Sequence, residues 1–121
     1  EACDRINESQ TSHNKQLIED IIKYIDTQYY DIDLNVSKIA DHFQMNLSHL
    51  SKFFKKQTGQ GLLDYINKVR IEKAKEILKE EVLSIKDVSA KVGFYNSNAF
   101  IRVFKKYEGV TPGKYRADIA K

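Results

Sequence analysis

The stretch GFYNSNAFIRVFKKYEGVTPGKYR, Gly93–Arg116, decides the fold. It opens on a glycine, stops at a second glycine, Gly109, and restarts at Thr111-Pro112. Between the glycines Phe100, Val103 and Phe104 recur at helical spacing, while Ser97, Asn98, Ala99 and Arg102 fall away from that stripe. Asn96 stands where a helix needs a cap, because its side-chain oxygen can accept a free first-turn N–H. Pro112 suits a first helical position, where its missing N–H costs nothing. The segment therefore reads as a short basic helix held between two sharp stops, followed by another short helix.

The same pattern occurs about fifty residues earlier. LNVSKIADHFQMNLSHLSKFFKKQTG, Leu34–Gly59, aligns with LSIKDVSAKVGFYNSNAFIRVFKKYEG, Leu83–Gly109. An offset of 49 pairs Leu34 with Leu83, Val36 with Ile85, Ile39 with Val88 and Ala40 with Ser89. After one extra residue in the turn, an offset of 50 pairs Asn46 with Asn96, Lys52 with Arg102, Phe54 with Phe104 and Gly59 with Gly109. Lys55-Lys56 then matches Lys105-Lys106. Each unit is a short helix, a tight turn and a basic helix. Ala40 and Ser89 are small where two steeply crossing helices must approach closely, as in a helix-turn-helix. In the first unit Ser48, His49, Ser51 and Lys52 lie away from the Leu50, Phe53 and Phe54 stripe. Neither basic helix holds an acid from its cap through its lysine pair, and an acid there would repel phosphate. One basic amphipathic helix reads most simply as a solvated face; two with matched caps, breaks and cations are hard to explain by packing alone.

The rest of the chain agrees with an all-α fold. It has 121 residues, one proline and five glycines, and no alternating Val, Ile or Thr runs. From Asn14, Leu17, Ile18, Ile21, Ile22 and Ile25 form an apolar helical face. A longer helix follows Gly61, with Leu62, Ile66, Val69, Ala74, Ile77 and Leu78 in phase over about five turns. Ser84 and Asp87 form a capping-box pattern that opens the next helix. Seven helices and no strand are expected. The divisions are a polar linker from an upstream region over 1–13, a first helix-turn-helix subdomain over 14–60, a linker helix over 61–80 and a second subdomain over 81–121.

Charge is unevenly placed. Residues 1–33 hold eight acids and three bases, residues 34–121 nine acids and seventeen bases. A basic body behind an acidic leader points to a polyanionic partner. The single cysteine, Cys3, excludes an internal disulfide and a cysteine metal site, in keeping with a reducing cytoplasm. No apolar run approaches the roughly 20 residues that span a bilayer, and the first residues lack a signal-peptide core.

From about Leu17 to Ala117 the chain resembles the DNA-binding domain of the AraC/XylS transcription regulators. GFYNSNAFIRVFKKYEGVTPGKYR is similar to that family's signature over the second motif, and LSKFFKKQTG to its counterpart in the first. The resemblance implies two helix-turn-helix subdomains joined by a long helix, here about Leu62 to Lys79, with recognition helices in successive major-groove segments. Two positions depart from the pattern: Gln44 stands where many relatives have glycine, and Leu47 where proline is frequent.

The resemblance places base-facing side chains at Ser48, His49, Ser51 and Lys52, and at Ser97, Asn98, Ala99 and Arg102. Arg102 suits a guanine edge, Asn98 an adenine edge and Ala99 a thymine methyl. Lys55, Lys56, Lys105 and Lys106, with the caps Asn46 and Asn96, suit phosphates. Phe53, Phe54, Phe100 and Phe104 share the apolar stripes and are expected in the core. His49 reads equally as a base contact or a partly buried surface residue. His42 and His49 lack acidic or cysteine partners at ligand spacing, so neither a metal site nor a cofactor is expected. No Ser-His-Asp order, glycine-rich phosphate loop or paired carboxylates suggests an enzyme.

The function expected is sequence-specific binding of double-stranded DNA at a bipartite site, regulating bacterial transcription in the cytoplasm. The alternatives are a helical adaptor gripping an acidic protein, or a nonspecific nucleic-acid binder. Further partners expected are RNA polymerase and an upstream sensor, receiver or ligand-binding domain of the same chain, which leaves a membrane-anchored parent open.

Overall fold

The computed structural model describes the backbone of residues 2–80 and 82–120, and the side chains of residues 12–80 and 82–120. Within these residues the chain is all-α, with seven helices and no strand. They are α1 (Ala2–Gln28), α2 (Val36–His42), α3 (Leu47–Thr58), α4 (Leu62–Glu80), α5 (Ile85–Lys91), α6 (Ser97–Glu108) and α7 (Pro112–Ile119).

Two hydrophobic clusters divide the interior. Ile21 and Ile25 of α1, Ile39 and Ala40 of α2, Leu50 and Phe54 of α3, and Leu62 and Ile66 of α4 form the first, with Leu34. The second gathers Ile71, Ala74 and Leu78 of α4, Val88 of α5, and Phe100 and Phe104 of α6, with Val92 and Phe94. The central helix thus gives its first turns to one cluster and its later turns to the other. The four expected phenylalanines behave as core groups: Phe54, Phe100 and Phe104 are fully buried, and Phe53 packs against the first cluster.

The helix α1 starts at Ala2, twelve residues before the expected start at Asn14. Periodicity registers a helix only by its buried face, so a polar helical segment escapes it. No glycine or proline precedes Gly59, so nothing in that segment breaks a helix. The side chains of residues 1–11, Cys3 among them, lie outside the described residues.

The two turns have one geometry. After α2 the N–H of Met45 donates to the Ala40 carbonyl at 2.8 Å, and that of Gln44 to Asp41 at 3.1 Å. After α5 the N–H of Phe94 donates to Ser89 at 3.0 Å, and that of Gly93 to Ala90 at 3.2 Å. This paired pattern closes a helix C-terminus when the residue after the cap turns left-handed. Gln44 has φ 54° and Gly93 φ 95°, so the position where the resembling family favours glycine carries a side chain here. Ala40 and Ser89 occupy the close crossings at 2 % and 1 % exposure. The Ser89 hydroxyl is buried there without a hydrogen-bond partner.

Gln44→Gly tests the strain directly. A left-handed side chain costs roughly 1–2 kcal/mol, and the freedom of glycine in the unfolded chain returns roughly 0.5–1 kcal/mol of that. The expected outcome is a rise in stability of up to about 1.5 kcal/mol by urea unfolding.

Candidate nucleic-acid interface

Each basic helix is built by the same local chemistry. The Asn46 side chain accepts the His49 N–H at 3.2 Å and the Asn96 side chain accepts the Ala99 N–H at 2.8 Å. Each cap oxygen therefore serves its helix, and each leaves an amide NH₂ as a donor. At the other end Gly59 and Gly109 adopt φ 81° and 80°, and each donates its N–H to a lysine carbonyl, Lys55 or Lys105, at 2.8 Å. The matched stops quoted from the sequence are thus matched caps.

The helices turn one face inward and one outward. In α3, Leu50 and Phe54 are buried, while Ser48, Lys52 and Lys55 share the exposed face, with His49 and Lys56 exposed beside them. Ser51 is half-buried. The His49 ring lies 6.5 Å from Phe53, nearly parallel to it, yet remains exposed. In α6, Phe100 and Phe104 are buried, while Asn98, Arg102 and Lys105 share the exposed face, with Lys106 beside them. Ser97 and Ala99 are half-buried at its two flanks, and Ala99 packs against the second cluster. No acid occupies the first turn of either helix, and the lysine pairs sit in the last turns. Cations there also stabilise a helix by facing its negative end, so the lysines serve stability whatever else they meet.

Two residues escaped the sequence reading. Ile101 stands at the register of Ser51 under the offset of 50, half-buried beside Asn98 and Arg102; the repeat applied evenly finds it. Arg70 is 7 % exposed on the inner side of α4. Its signal is its phase: Leu62, Ile66, Arg70, Ala74 and Leu78 are spaced by four, so a charge occupies a core position.

The helix α6 is also fastened to α4. The Tyr107 hydroxyl donates to the Asp64 carbonyl at 3.2 Å, and Lys75 pairs with Glu108 at 3.2 Å. Burial raises the Tyr107 pKa, and Asp64 adds to that. Burial works against the Lys75 charge, but the bonds to Glu108 and Glu72 outweigh it and its pKa rises. These acids are therefore engaged away from the exposed polar faces of α3 and α6. A cavity of about 500 Å³ at the far end of α4 is lined by Leu78, Val82, Arg116 and Ile119. Among the described residues no cluster of His, Cys, Asp or Glu is placed to hold a metal ion. No described helix is long and apolar enough to cross a membrane.

A doubled short-helix, turn, exposed-helix unit on a shared central helix defines a double helix-turn-helix domain. A family model for a helix-turn-helix domain matches residues 39–118. The chain is 35% identical over 113 residues to the uncharacterized HTH-type transcriptional regulator YtdP of Bacillus subtilis, covering 93% of this chain and 14% of that protein. It is 36% identical over 112 residues to the Msm operon regulatory protein of Streptococcus mutans, covering 93% of this chain and 40% of that protein. Among solved structures, the C-terminal domain of AraT, a response regulator from Geobacillus stearothermophilus, superposes with a TM-score of 0.81 at 29% identity, over 84% of each chain. The chain belongs to the AraC-type helix-turn-helix family. It spans less than half the length of each of these two regulators.

The caps are separable from the exposed faces of the helices. Asn96→Ala is expected to lower stability by about 1 kcal/mol, and Asn96→Ser to restore most of it, in thermal unfolding without nucleic acid.

Proposed function

We propose that this chain is the sequence-specific DNA-binding part of a larger bacterial transcription regulator, and that α3 and α6 each read one major-groove segment. One observation carries the reading: two matched helices, each behind the same turn and cap, present an exposed, acid-free polar face opposite a buried phenylalanine pair or stripe. A major groove admits such a helix, and its base edges are read by short polar and guanidinium side chains. Membership of the helix-turn-helix family supports the same reading.

In this reading Ser48, His49, Ser51 and Lys52 face bases in one half-site. Ser97, Asn98, Ala99 and Arg102 face bases in the other, with Arg102 on a guanine edge and Asn98 on an adenine edge. Ile101 joins them as the apolar contact for a thymine methyl, a role for which Ala99, packed against the second cluster, is less well placed. Lys55, Lys56, Lys105 and Lys106, with the amide groups of Asn46 and Asn96, meet phosphates and fix register without reading sequence. The unequal side chains of α3 and α6 call for a non-palindromic, bipartite site, with half-sites about one turn, ~34–36 Å, apart.

The units behind this reading are residues 14–60 and 81–121, joined through 61–80. The segment before them connects to an upstream sensor, receiver or ligand-binding region, and RNA polymerase is the machinery on which the parent acts. Reading chromosomal DNA places the domain in the cytoplasm, whatever anchors the parent. The reading involves no catalytic step.

Selection of bound duplexes from a random pool tests it. The expected result is one bipartite consensus; equal binding of all duplexes indicates a nonspecific coat, and no binding an adaptor. Arg102→Ala is expected to lose about 1–3 kcal/mol at one position and to relax preference there alone. Affinity should also fall with salt, with a log–log slope of about −4 from the four lysines, and Lys105→Ala should reduce that slope by about one.

A further inference from the structure

The reading helices are carried by separate hydrophobic clusters, so something must hold them at one relative orientation. The central helix is continuous, but a single shared helix leaves each unit able to roll about it. The structure places one further contact at the seam. Arg70 sits on α4 between Ile66, the last residue of the first cluster, and Ile71, the first of the second. Its Nε donates to the Tyr29 carbonyl at 2.9 Å, and one terminal nitrogen to Asp31 at 2.9 Å and to Leu34 at 3.4 Å. Those carbonyls belong to the connection from α1 to α2, in the first unit.

The second unit closes on the same atoms. Gly93 forms the turn that launches α6, and a Cβ built on it would lie 2.3 Å from the Tyr29 oxygen, 3.0 Å from Arg70 Nε and 3.0 Å from the Tyr30 carbonyl carbon. The next residue, Phe94, lays its ring 5.7 Å from the Arg70 guanidinium carbon. The Tyr29 carbonyl is thus gripped from one side by Arg70 and covered from the other by the bare backbone of Gly93. At the opposite end of α6, the Tyr107 hydroxyl reaches the Asp64 carbonyl in the first turn of α4. With the Lys75–Glu108 pair beside it, the second unit is held near both ends of α6, which opposes rolling.

We infer that the Arg70–Gly93 contact is a positioning device: it locks the orientation of α6 relative to α3, and so sets which half-site spacing the domain accepts. The inference rests on the reading of α3 and α6 as DNA readers, and adds to it that spacing is selected by backbone contact at the seam rather than by the central helix alone. A locked pair meets its two half-sites without further ordering, whereas an unlocked pair must be ordered on binding and tolerates several spacings.

The test uses the duplex that the wild-type protein selects from a random pool, with one or two base pairs inserted or removed between the half-sites. Wild-type protein is expected to prefer one spacing by at least about tenfold. Arg70→Met and Gly93→Ala are expected to bind the best spacing about tenfold more weakly and to separate neighbouring spacings by no more than about threefold. Base preference within each half-site should stay unchanged. Ile25→Val, a mild core change in the first cluster, should keep the wild-type spacing profile. Uniform weakening at every spacing, with the profile intact, would overturn the inference and make Arg70 a merely structural residue. A second readout needs no DNA. Residual dipolar couplings of α3 and α6 in the free protein should fit one common alignment in the wild type and two in Arg70→Met. A common alignment retained in Arg70→Met would also overturn the inference. Failure of wild-type protein to bind any duplex counts against DNA reading itself, and the couplings still decide the locking.

Discussion

A guanidinium buried between two hydrophobic clusters is expensive, and the architecture depends on how that cost is met. Burial pulls the Arg70 pKa down, with Asp31 acting in the opposite sense. The group stays charged, because arginine does not lose its proton in proteins. What offsets its lost hydration is a ring of carbonyls on the chain leaving α1, where a helix end has no more N–H donors to offer. The arrangement is mutual. Without Arg70 the Tyr29 and Leu34 carbonyls lose the partner it supplies, while the Asp31 carbonyl keeps only the Leu34 N–H; without them Arg70 is an isolated buried charge. Phe94 completes the enclosure with its ring face, an arrangement that attracts a cation.

That seam explains an asymmetry between the two copies of the repeat. Both turns need a left-handed residue in the same place, yet one copy has Gln44 and the other Gly93. Gln44 is exposed, so its side chain meets water and the cost is only backbone strain. Gly93 is buried against the Tyr29 carbonyl, so any side chain would meet backbone. Glycine in the second turn answers a packing demand from the first unit, beyond the local demand of the turn.

The stabilising groups and the exposed polar groups lie on opposite sides of α3 and α6. The buried phenylalanines, the asparagine caps and the left-handed glycines hold each helix without help from its outer face. Outer residues can therefore vary with little effect on folding, and the two copies have diverged there: Ser48 against Asn98, His49 against Ala99, Ser51 against Ile101, Lys52 against Arg102. A scaffold of this kind lets the two exposed faces differ while the geometry that presents them stays the same.

The sequence by itself determined the local features: apolar stripes at helical spacing, the caps at Asn46, Ser84 and Asn96, the helix start at Pro112, the stops at Gly59 and Gly109, and the repeat that pairs them. These are legible because a stripe, a cap and a stop each depend on residues a few positions away. The polar first half of α1 was not, since it has no apolar face to announce it. The exposed faces of α3 and α6 followed from periodicity, but the half-burial of Ser97 and Ala99 came only with the packing of neighbouring elements. The role of Arg70 was decided by tertiary structure alone. Its three carbonyl partners lie 36 to 41 residues away in the chain, and no local rule connects an arginine on one helix to the end of another.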